Sequence, residues 1–211
     1  MSVIIFNNAV KDDFLSKDEL MLLTNLIKED IASKPVGNFE LNGQGLDSEY
    51  LSSHAIITED MGRITVRDFQ FPKELQRKFS NYAREITQDP SLTMMGYAFA
   101  EYNLKYGTPS LKPHVDAGDP NFLLDFHVYG DVEWPLMING EEKITKTNTV
   151  ACLYNTAQIH WRNPRKFKEG ENIGMLFLNF YSSALKKELK YHEVPVKKVE
   201  EKRIWWDSIN V

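Results

Sequence analysis

The chain has 211 residues, 42% of them hydrophobic and 26% charged, which is the composition of a globular protein and too apolar for a disordered one. Its 25 basic and 30 acidic side chains leave a net charge of −5, which disfavours general binding to nucleic acid or to an anionic membrane surface. One cysteine, Cys152, excludes an internal disulfide and a cysteine-built zinc cage. No run approaches the roughly 20 apolar residues that span a bilayer, and the N-terminus lacks the basic region of a signal peptide. The expected setting is a reducing, cytoplasmic one.

Residues 3–6 form a short apolar run that reads as a strand. Ser16 and Glu19 have the spacing of a helix-capping box. Leu20, Leu23, Ile27 and Ile31 follow at helical spacing, so one face of that helix is expected to pack inward. It must stop before Pro35 and Gly37. Residues 38–50, rich in Gly, Asn and Asp, read as a loop, and 63–66 as a strand. Pro72 suits the first turn of a second helix, whose buried stripe is Leu75, Phe79, Tyr82 and Ile86 and which ends by Pro90.

Beyond Met94 short segments rich in Tyr, Phe, Val and Ile alternate with turns: 97–106, 122–129, 135–138, 150–154 and 173–181. Asn139-Gly140 between apolar residues is a strong hairpin signal. Helices first and strands after predict an α+β fold, with an antiparallel sandwich or barrel backed by helices. A single domain over 1–211 is expected. It would have supporting elements in 1–93, the β core in 94–185 and a charged tail in 186–211. Residues 186–203 read as a solvated helical or extended segment. Trp205 and Trp206 would pin it to the domain or meet a second copy.

Chemistry concentrates in residues 106–118, YGTPSLKPHVDAG. His114 and Asp116 are two apart, so in extended backbone both point to one side. A second histidine would complete a two-histidine, one-carboxylate set, which suits Fe(II) and leaves positions open for substrate and oxygen. His160, ending the apolar stretch 150–159, is the best third ligand. His127 is expected to pack or meet solvent, and His54 and His192 to lie on the surface.

These motifs resemble the double-stranded β-helix of the Fe(II)- and 2-oxoglutarate-dependent oxygenases, closest to the prolyl-4-hydroxylase-like branch. The matching stretches are Tyr106-Gly107, LKPHVD (111–116), EWPLMING, ACLYNTAQIHWR and NIGMLFLNFY. The resemblance implies a jelly-roll, cupin-like barrel and a metal site of His114, Asp116 and His160 holding Fe(II). It also implies 2-oxoglutarate bound through its keto acid, and O2 as oxidant. A carboxylate at 116, where halogenating relatives have a small residue, implies hydroxylation and not chlorination. The substrate would be a small molecule or a peptide, with a free or peptidyl amino acid favoured. The alternative is a metal-binding β-helix without turnover.

One position departs from the family. Asn172 stands about where a basic residue normally anchors the distal carboxylate of 2-oxoglutarate, and a neutral amide cannot replace that charge-assisted contact. Arg162, two past His160, is the favoured substitute, followed by Arg165 or Lys166. Tyr106 is a candidate hydroxyl donor to the same carboxylate, and Tyr129 a second. Residues 38–54 and 117–121 would form the rim of the site.

Overall fold

The structure is a computed structural model describing residues 11–38, 47–116, 121–130, 132–143, 146–155, 158–182 and 196–209. The expected strand at 3–6, His192 and most of 117–121 lie outside the described residues, as do 39–46 of the expected rim.

Helix α1 (Lys17–Ser33) opens on the capping box read from the sequence: the Glu19 amide donates to Ser16 Oγ, and the Ser16 amide to the Glu19 carboxylate. Leu23 and Ile27, four apart, are its buried residues. Strand β1 (Val36–Asn38) pairs in parallel with β2 (Ala55–Thr58), and the helix α2 (Ser48–Ser53) lies between them in the chain. Neither β1 nor α2 was expected, because the Gly- and Asn-rich composition there hides a three-residue strand and a one-turn helix. Strand β3 (Arg63–Arg67) precedes α3 (Lys73–Thr87), whose buried face is Leu75, Phe79, Ser80, Tyr82 and Ala83. Pro72 is the residue before the first turn, and Gln88 ends the helix in a left-handed conformation.

The remaining strands form two sheets. β4 (Thr93–Asn103), β5 (Asn121–Tyr129), β8 (Thr149–Asn155) and β10 (Asn172–Tyr181) join the first three in a seven-stranded sheet of order β1-β2-β3-β4-β10-β5-β8. β6 (Leu136–Ile138), β7 (Glu141–Lys143) and β9 (His160–Arg162) form a smaller sheet of order β7-β6-β9. The β6–β7 hairpin turns at Asn139 (φ 51°) and Gly140 (φ 92°), both left-handed as a two-residue turn of this kind demands. This is the double-stranded β-helix, α+β with α1, α2 and α3 at the N-terminal side.

Alternation sorts the side chains of the large sheet between two cores. Phe99, Phe122, Leu124, Phe126, Leu176, Leu178 and Phe180 pack with Leu23, Ile27, Leu75 and Phe79 of the helices. Ala100, Tyr102, Ile173 and Met175 face the small sheet and pack with Trp134, Leu136 and Ile138. Phe79 is fully buried and meets Phe14, Phe71 and Phe126 with ring centroids 4.8–6.0 Å apart. Phe79→Ala is therefore expected to cost about 3–5 kcal/mol, read as a shifted urea midpoint at unchanged slope.

Of the expected charged tail, residues 196–203 are helical with Lys198, Glu200, Glu201 and Arg203 exposed, and the expected tryptophan anchor is present. Helix α4 (Val196–Ile209) docks on the protein through Trp206, which is buried and donates from its indole N–H to the Arg162 carbonyl (2.8 Å). The anchor is Trp206 alone, a large apolar ring with one N–H to satisfy, while Trp205 stays exposed and meets Trp161 edge-on. Among the described residues, no helix is long and apolar enough to cross a membrane.

Candidate metal centre and its surroundings

The loop carrying the H-x-D segment is fixed before it reaches the site. Gly107 sits at φ 127°, and a Cβ there would lie 2.2 Å from the Glu59 carbonyl oxygen, so the Tyr106-Gly107 pair has a steric reason. The chain then runs antiparallel to β9. Arg162 N–H donates to the Leu111 carbonyl (3.0 Å), and His114 and His160 exchange backbone hydrogen bonds (3.1 and 2.9 Å). The two histidines therefore face each other directly across the strand pair, with ring centroids 4.1 Å apart. Asp116, two residues on, comes to the same side as His114.

One ligand atom from each of His114, Asp116 and His160 lies within 4.8 Å of the others. His114 Nε2 is 3.6 Å from Asp116 Oδ1, and His160 Nε2 is 3.7 Å from Asp116 Oδ2. These gaps are too long for hydrogen bonds and leave room for a divalent ion held by bonds of about 2.1 Å. The ring tautomers agree. Nδ1 of His114 is 2.8 Å from the Lys112 carbonyl and Nδ1 of His160 is 2.9 Å from the Gln158 carbonyl. A carbonyl can only accept, so each Nδ1 holds the proton and each Nε2 turns a lone pair to the centre.

Electrostatics point the same way. Burial pushes both imidazoles below their ordinary value, His160 down to about 3 with the His114 charge adding to the effect. Both rings are thus held neutral, the form that binds metal. Burial also raises Asp116, against the nearby charges of His114 and Arg63. A half-buried anion penalised in this way is what a bound dication would compensate. The residues fit a metal.

The other expected residues separate into two groups. Arg162 is buried on β9 two residues from His160. Its guanidinium donates to the Trp134 carbonyl and lies 5.3 Å from the centre of the Trp134 ring, while its charge acts on both His160 and Asp125. Tyr106 and Tyr129 are not brought to the metal centre. Both pack with the helix-side core, where the Tyr129 hydroxyl donates to Glu101 (2.7 Å) and the Glu101 charge acts on Tyr106. Arg165 is paired with Glu171. His127 is buried with Nε2 2.9 Å from the Tyr129 carbonyl, and His54 stacks on Tyr50. Asn172 opens β10 opposite Asn103.

Two charged residues of the inner face were missed. Asp125 pairs across from Phe177 on β5, is fully buried, and has an Oδ1 without a hydrogen-bond partner. Burial raises its carboxyl to about 7, against the pull of Arg162. Arg63 on β3 donates to the Tyr102 hydroxyl (3.1 Å), and its charge acts on His114 and Asp116. Asp125 had a signal in the sequence: in FLLDFHVY every second residue from Phe122 is apolar, which places Asp125 and His127 together on the opposite face. Arg63 had none, since its neighbours give no reason to place β3 beside the metal centre.

No family model matches the sequence, and a search of curated proteins finds no relative. Solved structures do match. A viral collagen prolyl hydroxylase from Paramecium Bursaria Chlorella virus-1, in its 2-oxoglutarate complex, superposes with TM-score 0.54 at 13% identity, over 82% of this chain and 94% of that one. A 2OG-Fe(II) oxygenase family oxidoreductase from Burkholderia pseudomallei gives 0.54 at 9% identity, over 83% and 84%. A prolyl hydroxylase from Trichoplax adhaerens, bound to a hypoxia inducible factor peptide fragment, gives 0.55 at 9%, over 89% of each chain. The resemblance read from the H-x-D and distal-histidine motifs thus extends to the whole architecture: this chain has the fold of the 2-oxoglutarate- and Fe(II)-dependent oxygenases, prolyl hydroxylases among them.

Proposed function

We propose that the protein is an Fe(II)- and 2-oxoglutarate-dependent dioxygenase that hydroxylates an unactivated C–H bond. The observation that carries this reading is the convergence of two Nε2 lone pairs and one carboxylate, with both histidine tautomers set by backbone carbonyls. Two histidines and one carboxylate on one side of an ion suit Fe(II) and leave coordination positions open. The ferrous ion would supply oxygen activation coupled to decarboxylation of the keto acid. In balance, substrate C–H, 2-oxoglutarate and O2 become C–OH, succinate and CO2, with one oxygen atom in each organic product. A carboxylate at 116 fills the position an added halide would need, which favours hydroxylation.

The protein's own groups divide the remaining work. His114, Asp116 and His160 hold the ion. Arg162 would hold the distal carboxylate of 2-oxoglutarate, since it is the buried cation whose charge reaches His160. Asp125, carrying its proton below about pH 7, can donate an O–H to that same carboxylate, and its unpartnered Oδ1 lies on the inner face with Arg162. Trp134, Leu136, Ile138 and Met175 form a buried apolar cluster on the Arg162 side, and so dry a surrounding strengthens each charge interaction.

Anaerobic Fe(II) with 2-oxoglutarate is expected to give a weak visible charge-transfer band, and admission of air to give succinate. Metal uptake without succinate would replace this reading by a metal-binding module. Arg162→Ala is expected to raise the 2-oxoglutarate concentration required for the band by more than about tenfold, as loss of a charge-assisted contact predicts, while metal affinity is kept. An unchanged requirement would remove Arg162 from the anchoring role.

A further inference from the structure

The inner face of the large sheet is filled by side chains on the Trp134 side and open on the other. A cavity of about 290 Å3 lies there, lined in part by Arg67, Asp68, Leu123, Phe177 and Asn179, with Ser52 of α2 at its edge. Its volume is at the lower limit of the roughly 300–1,000 Å3 of small-molecule sites, enough for a metabolite of amino-acid size.

Arg67 and Asp68 are sequence neighbours, whose side chains in a strand would point to opposite faces. Asp68 sits at φ 51° just past the end of β3, a left-handed turn that brings both to the cavity. The turn is held from outside: Lys34 on the α1 side donates from Nζ to the Arg67 carbonyl (2.7 Å), and Ser52 Oγ donates to the Asp68 carboxylate. Among the described residues no ion pair engages Arg67 or Asp68. Arg67, itself exposed, thus lines the cavity beside Asp68 with a charge that no ion pair of the described residues engages. Asn179 on β10 adds an acceptor, a buried Oδ1 with no hydrogen-bond partner. Leaving such an atom unsatisfied destabilises the empty site, which a bound donor would relieve.

Between this polar end and the metal centre the wall is apolar. Phe177 lies between Ala98 of β4 and Asp125 of β5 in the strand register, and Leu123 is two residues from Asp125, whose carboxyl feels the charge of Asp116. Arg63, Arg162 and Arg203 are the arginines whose charge reaches the histidine ligands; Arg67 is not among them. It is thus placed to hold a part of the substrate remote from the reacting carbon, and not a co-substrate chelated to the ion.

We infer that this cavity selects the main substrate, and that the substrate is a small free α-amino acid with an apolar side chain. Its carboxylate sits on Arg67, its ammonium between Asp68 and Asn179 Oδ1, and its side chain runs along Leu123 and Phe177 toward the metal centre. The inference rests on the oxygenase reading for what happens to that side chain, but the recognition itself needs no metal.

The test is calorimetric titration of the intact protein with L-leucine, L-isoleucine, L-methionine and L-proline, each against its methyl ester and its N-acetyl amide. At least one free amino acid is expected to bind, and its ester and amide at least tenfold more weakly. Arg67→Ala should weaken the free acid by tenfold or more and abolish the preference over the ester, and Arg67→Lys should restore part of it. His160→Ala, which removes a metal ligand, should leave this binding in place. Discrimination that depends on Arg67 sustains the inference even where no succinate forms, which would count against the oxygenase reading alone. Equal binding of acid and ester, no binding by any free amino acid, or indifference to Arg67→Ala overturns it even where succinate does form.

Discussion

Replacing His160 by alanine is expected to abolish ferrous binding at micromolar metal. Losing a partner that merely orients a ligand typically costs 10–100-fold in affinity, so removing the ligand itself should exceed about 100-fold. Among the described residues the site offers no substitute, because His160 is buried on β9 and Arg162, the next residue on its side of the strand, is a cation. The same loss is expected for His114→Ala and for Asp116→Ala, the latter through the charge that balances the ion. His127→Gln is the control. His127 is equally buried on the neighbouring sheet but makes its contact with the Tyr129 carbonyl, and its substitution should leave metal affinity within a few-fold. Quenching of tryptophan fluorescence by Fe(II) or Co(II) under anaerobic conditions reads all four, since Trp161 adjoins His160. Wild-type affinity in His160→Ala would end the assignment of the centre.

That centre was legible because its geometry is local. An H-x-D pair in extended backbone needs only the two-residue period to place both groups together, and a histidine at a strand end needs only one backbone pairing to meet them. Both conditions are visible in the pairing of His114 with His160. The capping box of α1, the Asn139-Gly140 turn and the buried stripe of α3 were legible for the same reason. What escaped depends on which sheet face a side chain takes or on distant segments. Tyr106 and Tyr129 were placed by their position near the motif, yet a register shift between Gly174 and Met175 along β10 puts Tyr129 with the helix-side core. The docking of α4 was legible through its tryptophan pair, of which Trp206 is the buried anchor, but the polar contacts around it were not. Arg203 Nε donates to the Pro113 carbonyl, Lys112 pairs with Asp207, and Trp206 donates to the Arg162 carbonyl. These contacts tie α4 to both histidine-bearing segments, and no local pattern announces those of Arg203 and Lys112.

The metal-free protein should also show an unusual dependence of stability on pH, because two buried groups act in opposite directions. In the fold His160 titrates at about 3 instead of 6.5. Between those values the unfolded chain binds a proton that the fold excludes, so stability rises with pH. Asp125 titrates at about 7 instead of 3.8. There the fold keeps a proton that the unfolded chain releases, so stability falls as pH rises. Each slope is one proton, about 1.4 kcal/mol per pH unit, and over roughly pH 4–6.5 they oppose each other. The wild type should therefore be nearly level where these two balance, with His114, whose value is lowered, adding to the rising slope and Asp116, whose value is raised, adding to the falling one. Asp125→Asn removes the falling slope and keeps the shape of the side chain. Its urea midpoint should climb steadily from pH 4.5 to 6.5, and above pH 7 it should exceed the wild type, where the variant escapes the cost of a buried carboxylate. His160→Gln should do the reverse and lose stability across the same interval. Midpoints measured in EDTA at pH 4.5, 5.5, 6.5 and 8 distinguish these outcomes. An Asp125→Asn profile parallel to the wild type would mean that the carboxyl is ionised in the fold, already neutralised by Arg162, and could not serve as the proton-carrying partner for a bound keto acid.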